Sequence, residues 1–193
     1  MNSDRLFSEV YTLDKSTNRY MIEIALDRYE DIFNEWDPAP FKKREIDSEL
    51  ELYLEGSVEE IPFRFPIELI FMLPTDRQDT QREEEVRIAL KNYFGFRLYF
   101  LRRELRKINI RLLRYVVIGF LLLWVGVTYP GYELETDWAR VATEGIFIGG
   151  WVFLWEAVSL FFFSKREIYH RYQMFKKLLH APVYFREAVH QSS

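Results

Sequence analysis

The chain has no cysteine among its 193 residues, which removes disulfides, thiolate nucleophiles and Cys-ligated zinc together. Its three histidines, His170, His180 and His190, recur every ten residues. Ten residues turn a helix by about −80° net, so they do not share a face and no metal-ligand spacing results. No phosphate-binding glycine loop and no nucleophile elbow occurs, and the expectation is a protein without enzymatic activity, cofactor or metal. The opening stretch "MNSDRLFSEVYTLDKSTNRY" lacks a basic start followed by an apolar run. It therefore does not read as a cleaved signal peptide, and this end is expected in the cytosol.

Charge is missing from "YVVIGFLLLWVGVTY" (115–129), and Glu156 is the only charge from Gly145 to Phe163. Fifteen residues at about 1.5 Å each cover about 22 Å, short of the roughly 30 Å hydrocarbon core. The first run lengthens if Arg111 and Arg114 snorkel, which brings in Leu112 and Leu113. The second run is long enough to span. Aromatic residues flank both, with Tyr115 on one side and Tyr129 and Trp138 on the other.

The formal charge of −4 averages two unlike halves: residues 1–85 hold 22 Asp+Glu against 10 Lys+Arg, and the remainder 8 against 16. Basic residues gather before the first run (Arg97, Arg102, Arg103, Arg106, Lys107, Arg111, Arg114) and after the second (Lys165, Arg166, Arg171, Lys176, Lys177). The connector "PGYELETDWAR" carries Glu133, Glu135 and Asp137 against Arg140 alone. The positive-inside rule then gives a multi-pass protein of the plasma or inner membrane with both termini cytoplasmic. Glutamates and membrane flanks on the long helix argue against nucleic-acid binding.

Ahead of the spans, "YMIEIAL" (20–26) and "PIELIFMLP" (66–74) read as strands, and "DSELELYLEGSVEE" (47–60) as a helix interrupted or ended at Gly56. "DIFNEWDPAPF" reads as a buried or partner-binding aromatic loop through Phe33, Trp36 and Phe41. Asp27, Asp31 and Glu35 would form an acidic ridge if helical, more simply a solvated face than a cation site. Thr80 and Glu83 form a capping box, and no proline follows until Pro130. Leu90, Phe94, Leu98, Leu101, Leu105, Ile108 and Leu112 then recur at helical spacing, which predicts one helix running into the first span, weakest at Gly95. Ser164 and Glu167 repeat the capping pattern, which predicts a fresh or bent helix from there. A second stripe, Ile168, Tyr172, Phe175 and Leu179, pairs with the first, packs on a soluble domain or packs against a neighbouring subunit.

The expected architecture is an α+β cytosolic domain plus an α-helical membrane hairpin of two transmembrane helices. Its parts are an acidic domain (1–78), an amphipathic helix leading into the membrane (79–114), transmembrane helix 1 (115–129), an acidic external connector (130–144), transmembrane helix 2 (145–163) and a basic helical tail (164–193).

Gly145, Gly149, Val152, Glu156 and Ser159 fall within about 40° of one line on a helix, and Gly119 and Gly126 share a face on the first. Small residues let helices approach closely in lipid, so these faces are expected to face protein. Glu156 then serves as packing glue, lines a cation or proton pathway with Ser159, or is hydrated; Glu133, Glu135, Asp137 and Glu144 would concentrate cations at the outer mouth. Two short spans form a pore only as a homo-oligomer. Mitochondrial calcium uniporters also pair two spans with a short acidic connector. Their Trp-Asp-x-x-Glu-Pro signature is absent, since in "DWARVATE" the Trp follows the Asp and no proline follows Glu144 or Glu156. Two readings stand: an oligomer that passes or is gated around a cation or proton at Glu156, and a membrane-anchored scaffold or sensor whose cytosolic domain recruits a protein partner.

Overall fold

Tyr20, Ile22 and Ile24 are buried while Glu23 and Ala25 are exposed, the alternation of a strand with one face on a core. This is β2 (Arg19–Ala25), paired antiparallel with the short β1 (Leu13–Asp14) in a computed structural model that describes residues 10–74, 78–129 and 137–187. Asn18 closes their turn at a φ of 55°, a left-handed conformation asparagine tolerates, and its N–H donates to the Asp14 carbonyl at 2.8 Å. In β3 (Ile67–Leu73) every residue but Met72 is buried, the pattern of a strand covered on both faces.

β2 and β3 run parallel, from Tyr20 opposite Ile67 to Ala25 opposite Met72, so a crossover must join them. Helix α1 (Ser48–Glu60) supplies it. Asp47 caps α1 by accepting from the N–H of Glu49 at 2.9 Å and of Leu50 at 3.4 Å, and Leu50, Leu54 and Val58 form its buried face. Gly56 does not interrupt the helix, because the apolar face continues across it.

Helix α2 (Thr80–Thr128) is 49 residues long and unbroken at Gly95. Its cap is Asp79 rather than Thr80: the Asp79 carboxylate accepts from the N–H of Gln81 at 2.9 Å and Arg82 at 3.3 Å. A carboxylate both caps and complements the positive end of the helix, so it displaces the hydroxyl by one position. Helix α3 (Asp137–Ser159) passes through a π-helical turn (Leu160–Ser164) into α4 (Lys165–His180). Two expectations change here. The half of the expected connector from Asp137 to Glu144 is helical, since "DWARVATE" has no breaker; residues 130–136, with Glu133 and Glu135, lie outside the described residues. Of the fresh or bent helix expected from Ser164, the structure has no new start: the helix runs on from the π turn, which is its irregularity there.

The tail is not helical throughout. Pro182 follows α4, and β4 (Val183–Glu187) adds to the sheet parallel to β3, Leu69 opposite Val183, giving the order β1-β2-β3-β4. Phe185 stacks on Phe71 at 5.5 Å and meets Tyr29 edge-on at 5.7 Å. With three strands parallel and helices between them, the sheet is mixed and the core is α/β in character rather than α+β.

The chain divides into two units, one gathering the chain up to Tyr99 with the segment from Tyr172 onward, the other Phe100–Arg171. The first unit thus takes in the start of α2 and the end of α4 together with the sheet. In the first unit the core holds Ile22, Leu54, Leu69, Phe71, Val86, Leu90 and Phe94 together with Met174, Phe175 and Leu178. The two helical stripes meet there, with Phe94 and Phe175 rings 6.4 Å apart. Arg97 closes the same region: its Nε donates to Glu51 at 2.9 Å and to the Tyr93 hydroxyl at 3.1 Å, and it lies over the Phe175 ring. In the second unit α2 and α3 pack along a seam. Thr80–Thr128 and Asp137–His180 each contain an 18-residue window of mean hydropathy 2.0 and 1.9, long and apolar enough to cross a membrane by length and composition.

Candidate functional site

The seam of the second unit is set by glycine. A Cβ on Gly119 would sit 3.1 Å from the Gly150 carbonyl oxygen and 2.9 Å from Leu154; one on Gly150 would sit 3.0 Å from the Gly119 carbonyl and 2.8 Å from Leu123. The two backbones touch at this crossing, where any side chain would hold them apart. A Cβ on Gly126 would sit 3.2 Å from the Phe147 Cβ, and Tyr115 meets Phe153 edge-on at 5.7 Å. Along α2 a line of buried and half-buried positions runs Leu101, Leu105, Ile108, Leu112, Tyr115, Gly119, Leu122 and Gly126 in alternating steps of three and four, with Val116, Leu123 and Val125 half-buried beside it. That is the period of two helices wound with a shallow left-handed crossing.

On α3 the buried positions are Ala139, Gly150 and Ala157, followed by Leu160. Within one chain the tight approach is at Gly150: a Cβ on Gly145 meets nothing within 4 Å, and one on Gly149 meets Leu122 at an ordinary 3.8 Å. Gly150, on the seam within one chain, lies one residue beyond the Gly145-x-x-x-Gly149 line and is not among the glycines that spacing singles out. The signal was present in Ile146, Gly150, Phe153 and Ala157, which keep the three-four spacing.

Glu156 precedes the seam residue Ala157 and so lies about 100° around the helix from it. It is exposed, as are Gly145 and Val152 on the same line, with Gly149 half-buried and Trp155 beside it 75% exposed. The face expected to meet protein is therefore uncovered within one chain. Glu156 makes no hydrogen bond or ion pair among the described residues. Ser159 is half-buried at the last α-helical position before the π turn. Asp137 and Glu144 are exposed and share a face, but Glu144 and Glu156 are separated by about 18 Å of helix and about 120° of rotation. One chain does not gather these carboxylates into a site.

The chain matches no protein-family model, no curated protein and no solved structure.

The π turn sits one helical turn beyond Glu156. A π turn inserts one residue and rotates everything after it, here between the seam residue Ala157 and Ile168. Nothing in the sequence signals it beyond the breakdown of the three-four spacing across "SLFFFSK".

In the first unit, Glu68 on β3 is fully buried: one carboxylate oxygen accepts from the Thr17 hydroxyl at 3.0 Å and the other has no partner. Lys177 donates to the Ile61 and Pro62 carbonyls at 3.0 and 3.3 Å, beyond the end of α1, and burial pushes its ammonium down to about 8. Asp27, Asp31 and Glu35 do not form a ridge. Only Tyr29–Ile32 is helical there, as one 3-10 turn, and Asp31 pairs with Arg28 at 3.3 Å. Among the described residues no three His, Asp or Glu side chains converge as a metal site requires. The aromatic loop divides: Phe33 is buried against Phe41, their centroids 4.6 Å apart, while Trp36 is 91% exposed.

Proposed function

We propose that this chain is a two-pass integral membrane protein that assembles as a homo-oligomer through the face of α3 bearing Gly145, Gly149 and Glu156, and that Glu156 takes up a cation or proton within the assembly. The carrying observation is Glu156 itself, an exposed and unpartnered carboxylate in the middle of an apolar helix. In hydrocarbon an unpaired charge costs on the order of 3 kcal/mol, so its partner must come from outside the single chain. A second copy presents the same face, and Gly145 and Gly149 leave room for its backbone.

The topology supports the hairpin. β3 and β4 are hydrogen-bonded neighbours, yet α2 and α3 lie between them in sequence. A chain that leaves a folded unit and returns to the same sheet crosses a bilayer an even number of times. The basic flanks then favour the cytoplasm for that unit and both termini, on the plasma or inner membrane.

A second reading is a membrane-anchored scaffold or sensor, with Glu156 as packing glue. Trp36 favours it. Its backbone N–H donates to Asn34 Oδ1 at 2.9 Å, and Asp37 beside it accepts from the backbone N–H of Ala39 at 2.9 Å and Glu45 at 2.8 Å. A well-held turn thus presents a bare indole, the side chain most enriched at binding hot spots. Neither reading involves catalysis or nucleic acid.

Cation and proton flux in vesicles, with subunit number measured in parallel, separates the readings. Flux that disappears in Glu156→Gln while subunit number is kept supports conduction. Absence of flux in both proteins, with subunit number lowered by the substitution, selects the scaffold reading. A wild-type monomer in lipid rejects the oligomer altogether.

A further inference from the structure

Between residues 102 and 114, α2 carries six Arg and Lys against Glu104 alone. Arg103, Arg106, Lys107, Arg111 and Arg114 are all exposed, and none has a hydrogen-bond or carboxylate partner among the described residues. At about 100° per residue, Arg103, Arg106, Lys107 and Arg114 fall within about 60° of one line, with Arg111 on its flank. The buried line of Leu101, Leu105, Ile108 and Leu112 lies opposite. These cations are therefore kept away from the packing seam and from any internal counter-charge. On the other helix, where the apolar run ends, Lys165 lies 5.2 Å from the Phe161 ring centroid. Phe161, Phe162 and Phe163 beside it are 50%, 60% and 74% exposed, and Arg166 is exposed without a partner.

We propose that this bare basic stripe, with Lys165 and Arg166, binds the headgroups of anionic phospholipids and gives the protein a selective anionic lipid shell on that side of the bilayer. The inference rests on the two-span reading. Guanidinium groups match phosphate oxygens with paired donors, and exposed aromatic rings next to cations suit the boundary between headgroups and acyl chains. Distance grades the stripe. Measured along the helix from Arg114, where the uncharged run begins, Arg111 lies about 4.5 Å away, Lys107 about 10 Å, Arg106 about 12 Å and Arg103 about 17 Å. The screening length is about 10 Å at 0.1 M salt, so Arg114 and Arg111 dominate, Lys107 and Arg106 add less, and Arg103 adds least.

The test uses the full chain reconstituted in phosphatidylcholine vesicles containing a trace of spin-labelled phosphatidylglycerol or, separately, spin-labelled phosphatidylcholine. The motionally restricted spectral component reports lipid at the protein surface. The expected result is enrichment of phosphatidylglycerol in that component of about fivefold, the worth of one cation near a charged surface. It falls towards parity at about 1 M salt, where the screening length is about 3 Å. Arg111→Gln with Arg114→Gln abolishes most of the enrichment, Arg111→Lys with Arg114→Lys keeps it, and Arg103→Gln leaves it nearly unchanged. Equal restriction of both lipids at low salt overturns the proposal while leaving the spans in place, as does enrichment insensitive to salt and to the glutamine pair. A chain that restricts neither lipid and is washed from vesicles by alkaline carbonate overturns the membrane reading as well.

Discussion

A methyl group added at Gly150 meets Leu123 and the fixed carbonyl oxygen of Gly119 at 3.0 Å, whereas one added at Gly56 meets nothing within 4 Å. The same substitution should therefore have opposite signs at the two places. Gly56→Ala relieves the backbone entropy of a mid-helix glycine and should stabilise the chain by about 0.5–1 kcal/mol. Gly150→Ala must push α2 and α3 apart and should destabilise by about 1–3 kcal/mol. Thermal unfolding in detergent reads both, and equal midpoints for Gly150→Ala and wild type would remove glycine from the account of the seam. Lys177 gives a pH dependence of known sign. Its two carbonyl partners favour the charged form but do not offset burial, which holds the group near 8 against an ordinary 10.5. Between those values the unfolded chain binds more protons than the folded one, so stability rises with pH across that window. Lys177→Met should flatten the rise between pH 8 and 10 in the same unfolding measurement, and an unaltered slope would assign it to another group.

β4 shows how much a five-residue element can carry. Phe185 is half-buried yet touches Phe71 and Tyr29, and the Arg87 guanidinium lies 5.1 Å from its ring. Phe185→Ala should cost about 2 kcal/mol, below the range for a fully buried phenylalanine, and should be seen as a lower urea midpoint of the native far-ultraviolet signal. No change in midpoint would mean that β4 is not part of the cooperative core. β4 is also where sequence reading stopped short. "VYFRE" is too brief to show alternation, and its pairing with β3 is non-local, across 110 residues of chain that local pattern does not bridge. What was legible is what local pattern encodes directly: β2 and β3 from short apolar runs bounded by turn-formers, and α2 from its capping residues and three-four spacing. The candidate site was legible only in part. Hydropathy exposes Glu156 as an anomaly, but which face of α3 meets α2 depends on a 100° choice between neighbouring residues, Gly149 or Gly150, that composition does not make. The π turn is invisible for a related reason, since an inserted residue changes the phase of a pattern without changing its chemistry.

At the scale of the molecule, two folded facts constrain one topology. The sheet joins segments on either side of the apolar helices through the β3–β4 ladder, and along the chain the cations fall between the apolar runs and the strands. If the helices cross a bilayer, Ser16 in the β1–β2 turn and Lys176 on α4 must lie on one side and Asp137 on the other. The absence of cysteine makes this directly measurable, because each introduced thiol is the only one in the chain. Ser16, Lys176 and Asp137 are all exposed positions, so replacement by cysteine should not disturb a core. In sealed, right-side-out cells a membrane-impermeant maleimide should label Asp137→Cys and leave Ser16→Cys and Lys176→Cys untouched until the cells are lysed. Labelling of Ser16→Cys and Lys176→Cys alone would invert the orientation while keeping the hairpin. Labelling of only one of that pair would be incompatible with β3 and β4 sharing a sheet, because a strand cannot hydrogen-bond to its neighbour across a bilayer.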